Sequence, residues 1–201
     1  MKKNMYSLML SENVVAAIDA LALRNGLSRS AMINAILAEH VSYRTPEMRA
    51  RELIERMERL LSSELAVLPA RSGTLMTLRS ALEYKYSPAV NYSVRLYRSG
   101  DAIGEVRASL RTRNPVLIDA LEKFYALWSA LEGPSGGCSS EEGRFTKVLR
   151  PAQRADEDEL GDAIAEYIRA FDRAMKAYFD GDAAGVKDAY AEYRRLAPTV
   201  I

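Results

Sequence analysis

Residues 5–10 read MYSLML, an alternating run of strand length, and two short amphipathic segments joined by RNGLSRS follow before Val41. Side chains alternate along a strand, so Tyr6, Leu8 and Leu10 take one face and Met5, Ser7 and Met9 the other. Ser11 stands where a helix cap belongs, and Val14, Val15, Ile18, Leu21 and Ala22 recur at helical spacing. Asn25-Gly26 ends that segment, and Ser28 caps a second one striped by Met32, Ile33, Ile36, Leu37, His40 and Val41. Strand, helix, turn and helix in so few residues cannot close a core alone. A strand without a partner in its own chain requires a second chain, and two copies would pair as an antiparallel ribbon.

A two-stranded ribbon fits a DNA major groove. With MKK at the start, LSE at 10–12 and GLSRSAMI at 26–33, residues 1–43 resemble the ribbon-helix-helix DNA-binding repressors of the Arc, MetJ and CopG type, CopG-like members most closely. The resemblance implies an obligate homodimer that binds double-stranded DNA. It assigns base contacts to Met5, Ser7 and Met9 and phosphate contacts to Ser28, Arg29 and Ser30, with Lys2 and Lys3 available beside them. The start of a helix suits an anion because its unbonded N–H groups point outward with partial positive charge. The base-reading positions depart from the family's usual Arg, Lys, Thr, Asn or Gln. Only Ser7 can hydrogen-bond a base edge, so weak sequence preference is expected, helped by Lys2, Lys3, Asn4 and DNA shape. The alternative is a ribbon that only dimerises, its methionines covered by protein.

Charge is unevenly spread. Residues 1–43 hold four Lys and Arg against three acids, residues 44–113 hold 13 against eight, and residues 114–201 hold 11 against 16. A phosphate-binding face would draw on the ribbon and the middle region, whereas the acidic last third is ill suited to DNA. Alternatively the two regions attract each other or are simply solvated.

The chain as a whole reads as α+β and mainly helical, and beyond residue 43 the pattern implies a second, α+β domain, 44–201, of regulatory or oligomerisation role. Thr45-Pro46 opens a helix to about Ser62, with Glu52–Arg56 and Glu55–Arg59 as pairs four residues apart. From Thr74 to Thr112 the period falls to two, which predicts a three-stranded antiparallel meander. Its polar face carries Arg79, Lys85, Arg95, Arg107 and Arg111, suited to phosphate, an acidic ligand, the acidic helices or plain solvent. Asn114-Pro115 starts a helix with an aromatic stripe, stopped at Gly133-Pro134. Residues 134–155, rich in Gly, Ser and charge, read as a mobile loop or linker containing Cys138. An αα-hairpin follows, begun by Asp156–Glu159 and broken at Gly181.

Chemistry finds little footing. There is one histidine, His40, on a predicted apolar stripe, and one cysteine, with no P-loop, dinucleotide fingerprint, paired-cysteine spacing or Ser-His-Asp order. No enzyme, catalytic residue, metal site or cofactor is expected. The single cysteine excludes an internal disulfide, and without a signal or long apolar run a cytoplasmic protein free of membrane is expected. Two functions compete: a dimeric transcription regulator whose C-terminal domain binds an unknown ligand or protein, and an antitoxin-like assembly or adaptor protein that uses the ribbon mainly to dimerise.

Overall fold

The structure, a computed structural model, describes residues 7–41, 45–69, 73–85, 87–98, 100–151, 156–197 and 201. They form an α+β protein in two compact units, Met1–Arg49 and Ala50–Ile201. The helices are α1 (Glu12–Arg24), α2 (Arg29–His40), α3 (Pro46–Leu61), α4 (Pro115–Glu132), α5 (Glu157–Phe179) and α6 (Ala183–Leu196). The strands are β1 (Ala66–Leu68), β2 (Leu75–Ala81), β3 (Ala89–Leu96), β4 (Gly104–Leu110), β5 (Cys138–Glu141) and β6 (Arg144–Leu149). The division between the units falls within α3.

The C-terminal unit is built on one antiparallel sheet ordered β1-β2-β3-β4-β6-β5. This corrects the expected three-stranded sheet. β2, β3 and β4 are its central strands, but β1 extends one edge and a β5–β6 hairpin extends the other. The hairpin lies in the stretch read as a mobile loop. Its glycines and serines occupy the tight turns and the edge strand, while β6 alternates Phe145, Lys147 and Leu149 inward. Gly104 shows why one glycine matters in this sheet: a Cβ there would lie 2.3 Å from the Arg95 carbonyl oxygen.

One face of the sheet is apolar. Met76, Leu78, Tyr92, Val94, Val106 and Phe145 are buried against α4 and α5 residues such as Phe124, Trp128, Tyr167 and Phe171. Phe171 is the hub, with ring centroids 4.7 Å from Phe145 and 5.2 Å from both Phe124 and Trp128. Edge-on and offset rings at such distances add to area burial. Two polar links cross this core: the Tyr92 hydroxyl donates to Asp172 at 2.9 Å, and the Trp128 Nε1–H donates to the Tyr167 hydroxyl at 3.0 Å.

The helices begin and end where local chemistry directs. Thr45 Oγ1 accepts from the Met48 N–H, Asn114 Oδ1 accepts from the Val116 N–H ahead of Pro115, and Asp156 and Glu159 form a reciprocal capping box. Pairing among the α3 charges departs from the sequence reading. Arg56 forks onto Asp162 at 2.7 and 2.9 Å and reaches Asp158 of α5, rather than closing on Glu52 one turn away. Arg169 of α5 bonds in return to Glu64 and to the Leu60 carbonyl, and these contacts clamp α5 to the C-terminal end of α3.

A charge lies inside the core. Lys147 of β6 and Glu132 at the end of α4 are both almost wholly buried and pair at 2.8 Å, with the ammonium 5.2 Å from the Tyr167 ring centroid. Such a pair survives burial only if each charge keeps its partner.

Candidate nucleic-acid interface

The N-terminal unit is small, and its own interior is thin. Among residues 7–41 the buried apolar side chains are Ile18, Ala22 and Ala38. Leu8, Leu10, Val14, Leu23, Leu37 and Val41 are exposed, Leu23 by 84%. Met32, Ile33 and Ile36 are half-buried, so the α2 stripe is covered on one flank only. His40, expected on that stripe, is exposed as the last residue of α2.

Residues 7–10 carry no helix or strand assignment in the single chain. The strand expected over residues 5–10 is therefore not seen at residues 7–10, and its first two residues lie outside the described residues. Ser7 and Met9 are both exposed, Met9 completely. Met5, Lys2 and Lys3 lie outside the described residues.

The corner between α1 and α2 is closely specified. Asn25 Nδ2–H donates to the Leu21 carbonyl at 2.8 Å, and the Leu27 N–H returns to the Ala22 carbonyl at 2.9 Å while the Gly26 N–H reaches Leu23. These two backward bonds form a Schellman end, and it needs the left-handed backbone that Gly26 supplies at φ +62°. Ser11 takes the N-cap position of α1 with an extended backbone, but its side chain makes no capping bond. Ser28 does cap α2, with Oγ accepting from the Ala31 N–H at 3.3 Å.

Ser28, Arg29 and Ser30 are brought together as one exposed patch at the start of α2. The first-turn N–H groups of a helix there face outward and favour an anion. Sequence reasoning missed one member of this patch. Asp19, one residue past Ile18 on α1, receives both Nε–H and Nη2–H of Arg29, at 2.6 and 2.5 Å. The guanidinium hydrogen bond holds the Asp19 carboxyl below its ordinary value of 3.8. The fork leaves three N–H donors of Arg29 for another oxyanion, but it sets a carboxylate beside the place a phosphate would occupy. Ten residues separate the pair, beyond the single-helix spacing at which charge pairs are read from sequence.

In the C-terminal unit, half-buried Cys138 lines a shallow recess of about 430 Å³ with Ser129, Gly133 and Gly137. Burial pushes its thiol up to about 11, and a protonated thiol is a poor nucleophile. Among the described residues, no three His, Cys, Asp or Glu side chains gather as a metal-holding group, and no helix is long and apolar enough to cross a membrane.

No protein-family model matches the chain, and neither does any curated protein or solved structure.

Proposed function

We propose that this chain is a dimeric, CopG-like ribbon-helix-helix transcription regulator, with residues 1–43 binding double-stranded DNA and the α+β unit serving as a sensor or partner-binding module. The observation that carries the reading is the uncovered apolar surface of residues 7–41, which includes Leu8 and Leu10 in a segment with no helix or strand assignment. A monomer gains nothing from leaving Leu8, Leu10, Leu37 and Val41 in water, whereas a second copy that pairs strand to strand and helix to helix removes them. The Ser28–Ser30 patch then lies at a helix start suited to phosphate.

A second reading, the adaptor that only dimerises, draws on Met9 and on Asp19. Methionine offers no hydrogen bond to a base edge, and Arg29 is already occupied in part by a carboxylate.

Binding of the full chain to random duplex and to DNA from its own upstream region, titrated with salt, separates the two readings. On the regulator reading, Ser7→Ala relaxes sequence preference and Met9→Glu weakens binding to every sequence. Arg29→Ala lowers the salt slope by about one unit or less. Dimer stability changes little in all three. Absence of DNA binding in the parent protein, together with loss of the dimer in Met9→Glu, replaces the regulator with the adaptor.

A further inference from the structure

The helices cover one face of the sheet, and the opposite face is polar. Its composition follows from register. Arg79 of β2 stands opposite Asn91, Asn91 opposite Ser109, and Ser109 opposite Arg144, so two arginines bracket an amide and a hydroxyl in one row across four strands. The next row runs Thr77, Ser93, Arg107 and Thr146, and the third runs Leu75, Arg95, Glu105 and Val148. Arg95, Arg107 and Arg144 therefore step diagonally over three adjoining strands, at the roughly 7–8 Å spacing of diagonal sheet neighbours.

The charge on this face is available. Arg79, Arg95 and Arg144 are exposed and, among the described residues, form no ion pair; Arg79 donates only to the neutral Asn91. The face has two acids. Glu105 is buried and bonded to Arg107, and Glu141 stands opposite Arg144 on the edge strand β5. Arg107 also keeps a buried Nε with no hydrogen-bond partner. Between the cations lie hydroxyls and an amide, short donors that hydrogen-bond phosphate oxygens without competing charge.

The geometry points to this sheet face as a second DNA-contacting surface, one that grips the phosphate backbone of a duplex without reading its sequence. None of the residues in these three rows is aromatic, and a single tyrosine, Tyr97, follows just past β3. The stacking platform that single strands require is therefore missing, which favours a duplex backbone over splayed bases. Arginines spaced along a diagonal suit a repeating anion better than one compact ligand. The inference rests on the reading of the chain as a DNA-binding protein.

The test uses the full chain, a random-sequence duplex and DNA from the protein's own upstream region. Arg79→Ala, Arg95→Ala and Arg144→Ala are combined in one variant, and Arg107 is left in place because its loss would strand buried Glu105. A control variant removes the same charge from α6, through Lys187→Ala, Arg194→Ala and Arg195→Ala. The sheet variant is expected to lose roughly two to three units of salt slope while keeping the parent's ratio of specific to random affinity. The α6 control is expected to keep the parent slope. Single Arg95→Ala and Arg144→Ala proteins, each checked for a parental melting temperature, should lose about one unit apiece. If the parent binds DNA and the sheet variant keeps its slope, the sheet proposal is overturned and the DNA reading stands. If the sheet variant loses slope while Ser7→Ala, Met9→Glu and Arg29→Ala bind as the parent does, the sheet face stands and the N-terminal assignment falls. If the parent binds no duplex even at low salt, both are overturned.

Discussion

In the N-terminal unit, α1 and α2 bury Ile18, Ala22 and Ala38 and leave Leu23, Leu37 and Val41 in solvent. In the C-terminal unit, α5 buries Leu160, Ile164, Tyr167, Ile168, Phe171 and Met175 along its length. α1 and α5 are both amphipathic, and α2 scarcely is. The difference lies in what each has to pack against: α5 has a sheet, α4 and α6, while α1 and α2 are too short to cover each other. Most helical stability in proteins comes from tertiary packing of the apolar face, so the C-terminal unit can stand on its own contacts and the N-terminal unit needs surface from elsewhere. On the proposed reading, that surface is a second copy.

The contrast breaks most readily at Phe171. Removing a ring that meets Phe145, Phe124 and Trp128 leaves a cavity in a close-packed core, and Phe171→Ala should destabilise the protein by about 3–5 kcal/mol. Denaturant unfolding should show this loss at every protein concentration. A cost below about 1 kcal/mol would mean that the aromatic hub is not a close-packed core.

The buried pair sharpens the same point. Lys147→Met alone strands the Glu132 carboxylate, and a cost of about 3–5 kcal/mol is expected. Lys147→Met combined with Glu132→Leu should recover most of it, because the desolvation of two charges disappears together with their attraction. Thermal melts of the single and double variants decide the matter. A double variant as unstable as the single one would show that the pair stabilises the fold beyond mutual compensation.

What was legible in the sequence was local. Asn114-Pro115, Thr45-Pro46 and Asn25-Gly26 mark helix ends because the groups that make a cap lie within a few residues of one another. Period-two alternation likewise exposed the central strands. The failures were non-local. β1 has three residues, too few for a period, and is defined only by its pairing with β2. The β5–β6 hairpin carries a lysine on its core face, which no hydrophobic pattern reveals until Glu132 is in place. Arg56 was given a partner one turn away and found two on α5. At the candidate interface, the Ser28–Ser30 patch followed from the helix start, but the Asp19 fork on Arg29 depends on how two helices meet across a turn.

The N-terminal side of the comparison is tested at Leu37, exposed on the outer flank of α2. Leu37→Asp should raise the dimer dissociation constant at least about tenfold, equivalent to 1.4 kcal/mol. The denaturation midpoint of the C-terminal core should stay unchanged. Sedimentation across a range of concentrations measures the first and tryptophan fluorescence from Trp128 the second. A parent protein that sediments as a monomer at all concentrations would remove the premise. A smaller effect belongs to Ser28→Ala, which deletes the α2 cap and should cost about 1 kcal/mol, read as earlier fraying of the N-terminal unit by hydrogen exchange.

The smallest expected effect concerns Asp19, and its sign is informative. The Asp19 carboxyl is held below its ordinary value by its hydrogen bond with Arg29, so its contribution is present above pH 3.8 and is lost as pH falls through the lowered folded value. Across neutral pH the contribution is therefore constant, and Asp19→Asn should leave the neutral-pH melting temperature nearly unchanged, since exposed pairs contribute little. Its effect on DNA should be larger than its effect on folding. Replacing the carboxylate removes an anion from beside the α2 start and releases the Arg29 fork, so affinity should rise and the salt slope should steepen by about one unit. Weaker binding in Asp19→Asn would give the opposite lesson, that the fork positions the guanidinium and that the α1–α2 corner is organised to present it.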